Sequence, residues 1–268
     1  MTLTLNALNP RNHLIIPDSH AEPDDNFRRY DWLGRFIMER RPEVIVQLGD
    51  MWDMGSLCHY DKKSKSFVTR NIEADINAGH EAEARMFAPI LKFNEQARKY
   101  KHKTYQPLYI KILGNHEARL DRFLDENPQL ESASLNMDVF KTRLNIKEHV
   151  IDFKAMAVVD GVAYSHYFVS GVMGRPVASA RALITKKCMS ATMGHVHTVD
   201  VASTTKPTGE AIRGLIAGSF HDPDHESFAG PQVDNIWWNG LFMKHDVFNG
   251  GYDLEEISAK RLMKKYEI

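Results

Sequence analysis

An α/β protein made of two packed sheets is what the sequence predicts, on three observations. Short apolar runs alternate with longer amphipathic stretches in the first half of the chain. From about residue 151 the texture changes to short β-rich runs punctuated by turns. No Pro-, Gly- or Ser-rich linker, repeat or low-complexity tract separates the two parts, so residues 1–268 read as one domain.

Residues 13–17 (HLIIP) form a buried strand in this reading, and 27–40 a helix with Leu33, Phe36 and Ile37 on one face. Residues 44–48 (VIVQL) and 108–113 (LYIKIL) are two further strands, each running directly into polar residues. The segment 56–107 between them is too long for a structureless loop. Ile72, Ile76, Gly79, Glu83, Met86, Ile90, Phe93 and Ala97 recur every three or four residues, which predicts a helical insert: one helix kinked at Pro89, or a pair divided there. Asp160-Gly161 between apolar runs 155–159 and 162–165 is a hairpin signal. Further strands are expected at 190–193, 200–204, 212–217, 237–247 and 252–258, followed by a charged tail, 259–268, with no assigned role.

Composition narrows the function classes. The chain has 268 residues, 43% hydrophobic and 26% charged, enough for a substantial core and too balanced for disorder. With 34 Lys+Arg against 35 Asp+Glu, a net charge of -1 excludes a surface that is basic all over. The two cysteines, Cys58 and Cys188, form no metal-binding or disulfide pattern. No leader-like N-terminus and no apolar run long enough to span a bilayer is visible, so a cytoplasmic protein without membrane contact is expected. Thirteen histidines are many for this length, and imidazole is both a metal ligand and a proton shuttle.

The polar residues that end the apolar runs carry the chemistry: Asp18 and His20, Asp50 and Asp53, Asn115 and His116, His166, then His195 and His197. Carboxylate, amide and imidazole donors without thiolate suit hard to borderline divalent ions such as manganese, iron or zinc. Residues two apart at a strand exit point the same way, so each pair can present two ligands to one side.

Taken in order, DSH at Asp18 to His20, GDMWD at Gly49 to Asp53, GNHE at Gly114 to Glu117, His166 in YSHYF and GHVH at Gly194 to His197 resemble the five blocks of the calcineurin-like metallophosphoesterases. The resemblance spans 18–197 and misses no ligand. It implies a four-layer α-β-β-α sandwich and two divalent ions, manganese first, with iron, zinc, nickel or magnesium as alternatives. One ion would be held by Asp18, His20 and His197, the other by Asn115, His166 and His195, with Asp50 bridging. A water shared by two cations ~3.5 to 4 Å apart is acidic enough to serve as a hydroxide nucleophile near neutral pH. The family pattern makes His116 the acid that protonates the leaving oxygen and Asp53 the carboxylate that orients it. Asn115 would also contact the substrate phosphate. By its position three residues past His116, Arg119 either reaches a phosphate oxygen or pairs with acids on its own helix surface, and Glu117 would support the loop.

The second block departs from the phosphoprotein-type pattern, with Met54 where an Arg would grip a phosphoryl dianion. Ala21 and Tyr167 replace glycines common after the block histidines. The expectation is therefore a phosphodiesterase acting on nucleotide or nucleic-acid phosphodiesters. The alternatives are a phosphomonoesterase such as a Ser/Thr protein phosphatase, and a non-catalytic binding or scaffold member. Basic flanks of the insert, Lys62, Lys63, Lys65 and Arg70 before it and Arg98, Lys99, Lys101 and Lys103 after, offer a nucleic-acid contact, although acids intervene and no aromatic ladder is visible. His221 and His225, in FHDPDHE, are either part of an ordinary acidic turn or of the substrate rim.

Overall fold

The computed structural model describes residues 2–58, 71–223 and 236–267. Among these lie two mixed six-stranded sheets. The first contains β2 (Arg11–Ile16), β3 (Val44–Gln47), β4 (Leu108–Ile112) and β5 (Glu148–Ile151), all parallel, with β11 (Gly240–Phe248) and β12 (Gly251–Ser258) added antiparallel at the β2 edge. The second has the order β1 (Thr2–Leu5), β6 (Met156–Val159), β7 (Val162–Tyr164), β8 (Ala191–Met193), β10 (Ala211–Ala217), β9 (Val199–Thr205).

Strand periodicity sorts the apolar residues into three layers of contact. Ile15, Val46 and Ile110 face Ala157, Val159, Tyr164 and Leu215 of the second sheet, forming the core between the sheets. Leu14, Ile16, Ile45 and Tyr109 point the other way, under helices α1 (Arg28–Arg40) and α2 (Ile72–Lys99). A smaller core lies on the outer face of the second sheet, where Leu183 of α4 (Ala180–Lys187) meets Met193 and Ile216. The two sheets thus pack face to face, with helices on both outer surfaces.

Among the described residues of segment 56–107, one α-helix follows Asn71 and passes through Pro89 without dividing; Asn71 caps its N-terminus by accepting from the Glu73 and Ala74 amides. It is better described as a crossover than as an insert. β3 and β4 are adjacent and parallel, and parallel neighbours require a connection that returns along the sheet, usually a helix. This topology places Arg98, Lys99, Lys101 and Lys103 just before β4, at the end of the sheet where β3 and β4 begin. The candidate ligands follow the opposite ends of those strands, so this basic flank forms no wall of the site. Lys62, Lys63, Lys65 and Arg70 lie outside the described residues.

The charged tail is a structural element. Residues Ala259–Tyr266 form α5, capped by Ser258 and packed on α1, burying Ala259, Leu262 and Tyr266 while its lysines face outward. Among the described residues, β1, β5, α4 and α3 (Ala118–Glu126) likewise have no counterpart in the sequence prediction. No helix among the described residues is long and apolar enough to cross a membrane.

Candidate metal centre

Every predicted ligand lies just beyond a strand of one sheet or the other, and all converge at one end of the sandwich. Asp18 and His20 follow β2, Asp50 follows β3 and Asn115 follows β4; His166 follows β7, while His195 and His197 follow β8. Polar groups are thereby gathered where two parallel strand ends meet, the usual position of sites in layered α/β sheets.

The backbone is shaped to bring them together. His20, Asp50, His195 and His197 all adopt positive φ, at 45°, 50°, 70° and 61°. Non-glycine residues pay strain in that region, and such strain accumulates at functional sites. The glycine opening each of two blocks has a steric reason. A Cβ at Gly114 would stand 2.1 Å from Asp50 Oδ1, and one at Gly194 would stand 2.1 Å from Asp18 Oδ1. Only hydrogen fits between these carboxylates and the chain.

Donor atoms approach as ligands of a shared centre do. His20 Nε2 and His197 Nε2 lie 3.3 Å apart, and His197 Nε2 lies 3.3 Å from Asp18 Oδ2. On the other side His166 Nε2 is 2.8 Å from Asn115 Oδ1 and 3.4 Å from Asp50 Oδ2. Asp50 belongs both to a group with His166 and His195 and to one with His20 and His116, so its carboxylate is shared by two candidate ion-binding groups. His166 Nδ1 donates to the Leu48 carbonyl at 3.0 Å, so Nε2 is the nitrogen turned toward the centre. The Asp18 carboxylate also accepts the His195 amide, at 2.9 and 3.1 Å.

Asp53 touches two histidines. Its Oδ1 is 3.2 Å from His20 Nδ1 and 3.2 Å from His116 Nδ1, and its carbonyl is 2.8 Å from the latter atom. It therefore fixes a ligand imidazole as well as the candidate acid. The Arg119 guanidinium donates to the Asp53 and Met54 carbonyls at 2.8 and 3.3 Å and reaches His116 Nε2 at 3.1 Å. It borders the site with most of its donors already engaged. Met54 is fully buried.

The electrostatics follow from mutual proximity. Burial pushes the Asp50 carboxyl up, but His166, His116 and His20 outweigh it and hold the group well below the usual carboxylate range. Asp18 is lowered in the same way, burial being overcome by His166 and His197. Burial disfavours a charged His116, yet Asp50 and Asp53 more than compensate and raise it to about 9. His20 is lowered, by burial and then by His116, and His195 by burial and then by His166.

Glu117, expected to support the loop, does so directly. Its buried carboxylate accepts the amides of Asp50, Met51, Trp52 and Gly114 at 2.7 to 3.0 Å. Burial and the neighbouring Asp50 raise its pKa. His221 joins His20 and His197 in a third group of donor atoms lying within 4.8 Å of one another. Its motif was visible in sequence, but its position was not. His225 lies outside the described residues.

Seven donors without thiolate, two of them carboxylates kept ionised by surrounding imidazoles, are chemically suited to a pair of divalent cations. Comparison with known proteins yields no matching family model and no matching curated sequence.

Proposed function

We propose that this protein is a two-metal phosphohydrolase of the calcineurin-like metallophosphoesterase type, acting on phosphodiesters of nucleotides or nucleic acids. The observation that carries the reading is the convergence of Asp18, His20, Asp50, Asn115, His166, His195 and His197, from five strand ends, on one centre in which Asp50 is shared. Asp18, His20 and His197 would hold one ion, Asn115, His166 and His195 the other, with Asp50 between them. Two such ions, when bound, supply a hydroxide nucleophile at neutral pH and neutralise the charge that builds on the phosphoryl group.

The chain's own groups do the rest. Asp53 holds the His116 ring through Nδ1, which leaves Nε2 to face the leaving oxygen and hand it a proton. Arg119 Nη2 lies 3.1 Å from that nitrogen and borders the same point. Glu117 keeps the Asp50 and Gly114 turns in register from below. Diester specificity is supported by Met54 and by the bonding of Arg119. Met54 is buried at the position of a dianion-gripping arginine, and the Arg119 guanidinium is taken up by backbone carbonyls. A diester, with one negative charge fewer than a monoester, has less need of a guanidinium clamp.

The test is hydrolysis of an aryl phosphodiester, an aryl phosphomonoester, and single- and double-stranded oligonucleotides by chelator-treated protein, before and after adding back manganese or zinc. Diester cleavage that returns with metal is the expected result. Activity confined to the monoester would shift the assignment to a phosphomonoesterase. Metal binding without turnover on any of the four would leave a non-catalytic member.

A further inference from the structure

His221 belongs to the chain that runs beside the first ligand block. Asp18 and Ser219 form a parallel bridge, and the Phe220 amide donates to the Asp18 carbonyl at 2.7 Å. Two residues beyond Ser219, His221 therefore stands opposite His20, two residues beyond Asp18. Its backbone is fixed at both ends by one side chain: the His221 amide donates to Asn239 Oδ1, and Asn239 Nδ2 donates to the His221 carbonyl, each at 2.9 Å. A residue of an ordinary surface turn has no need of such a clamp.

The three rings are almost equally spaced. Centroids are 5.2 Å apart for His20 and His221, 5.3 Å for His197 and His221, and 5.3 Å for His20 and His197. Imidazoles that meet one ion through bonds of about 2.1 Å at tetrahedral angles hold their centroids about 5 Å apart. Trp237 stands edge-on to His197 with centroids 4.5 Å apart and 5.9 Å from His221, so an aromatic wall limits the freedom of both rings.

We propose that His221 is an additional nitrogen ligand of the ion held by Asp18, His20 and His197, and that three imidazoles at this position make it a site for zinc or a similar borderline cation in preference to manganese or magnesium. The proposal rests on the dinuclear reading above and adds a donor to the seven it contains. Its chemistry is direct: imidazole favours zinc, copper, iron and nickel, while manganese and magnesium favour oxygen.

The experiment is a competition titration of the full-length, chelator-treated chain with zinc alone and with manganese alone, against a chromophoric chelator, for wild type, His221→Ala, His221→Gln and His245→Ala. His245 pairs with Glu255, away from the centre, and controls for adventitious zinc. Wild type and His245→Ala should bind two zinc ions. His221→Ala should lose about tenfold to a hundredfold in affinity for one of them and less than threefold for manganese. His221→Gln retains a side chain of similar reach and should lose zinc affinity equally, so a folding defect of the alanine variant does not decide the outcome. If wild type binds two ions and both His221 variants keep both zinc affinities within twofold, the extra ligand is disproved and the dinuclear reading stands. If wild type itself binds no ion, the dinuclear reading falls and this inference with it.

Discussion

Glu117 lies beneath Asp50 and accepts its amide at 3.0 Å through Oε2, the same oxygen that accepts the Gly114 amide at 2.7 Å. With Oε1 accepting from Met51 and Trp52, a single buried carboxylate ties together the turns that carry Asp50 and Asn115. Glu117→Gln would aim an amide donor at some of these N–H groups, leaving buried donors unpaired at a cost of about 1–3 kcal/mol each. Support of this kind around a ligand typically governs metal affinity by about tenfold to a hundredfold. Denaturant unfolding and metal titration of Glu117→Gln should therefore both show loss. Unchanged affinity would mean the turns hold their shape without it.

Steric exclusion at Gly114 gives a sharper contrast. Gly114→Ala puts a methyl group onto Asp50 Oδ1 and should cost about 1–3 kcal/mol through overpacking while displacing the shared carboxylate. Gly171→Ala, where an added Cβ meets nothing within 4 Å, is the matched control and should be nearly neutral. Equal unfolding midpoints and equal metal stoichiometry for the two variants would refute the account of the block glycines.

For His116 the expected effect depends on the leaving group. His116→Asn should lower kcat by about a hundredfold to ten-thousandfold on diesters with poor leaving groups and far less on activated aryl esters, with metal content unchanged. A uniform loss across leaving groups would point to a positioning role instead.

Part of the acid sensitivity should originate away from the candidate centre, near the start of β2. His13 is fully buried, with Nδ1 2.7 Å from the Tyr164 hydroxyl and Nε2 2.9 Å from Asp160 Oδ2. Burial lowers its pKa to about 4, outweighing the pull of Asp160. The unfolded chain takes up a proton near pH 6.5 that the folded chain refuses until about pH 4, so stability present above 6.5 is lost as pH falls through that interval. Asp160, held low despite burial by His13 and Arg11, adds a loss of the same sign only below its ordinary value. Urea unfolding of wild type against His13→Asn should show a pH-dependent difference on the order of 2–3 kcal/mol between pH 7 and pH 4. A difference that stays flat over that range would place the acid sensitivity elsewhere.

How legible these features were depends on whether the signal was local. The ligand blocks could be read because each ends an apolar run, and an apolar run ending in Asp, Asn or His is a local pattern. The same holds for the strands that carry them. α5 was hidden because its apolar stripe is only Ala259, Leu262 and Tyr266 among four Lys or Arg residues. β1 was missed because its four residues are alternately exposed and half-buried at a sheet edge. Lys111 and Lys244 interrupt apolar runs yet are fully buried, Lys111 between Glu83 and Glu148, and Lys244 over the rings of Tyr164 and Tyr252. His221 was undecidable from FHDPDHE, since what places it is the pairing of Asp18 with Ser219, which lie far apart in the chain.

The division of donors between the sheets has a mechanical consequence. One sheet contributes Asp18, His20, Asp50 and Asn115, and the other contributes only imidazoles, His166, His195 and His197. Bound cations would thus act as a clasp across the open end of the sandwich, fastening layers that elsewhere meet mainly through apolar contact. An ion present at a hundred times its Kd stabilises the fold by about 2.7 kcal/mol, so chelation should lower Tm and first raise amide exchange in the turns at 18–20 and 194–197. Fastening and chemistry would then depend on the same two ions, and a chain stripped of metal would lose its cross-layer fastening together with its reactivity.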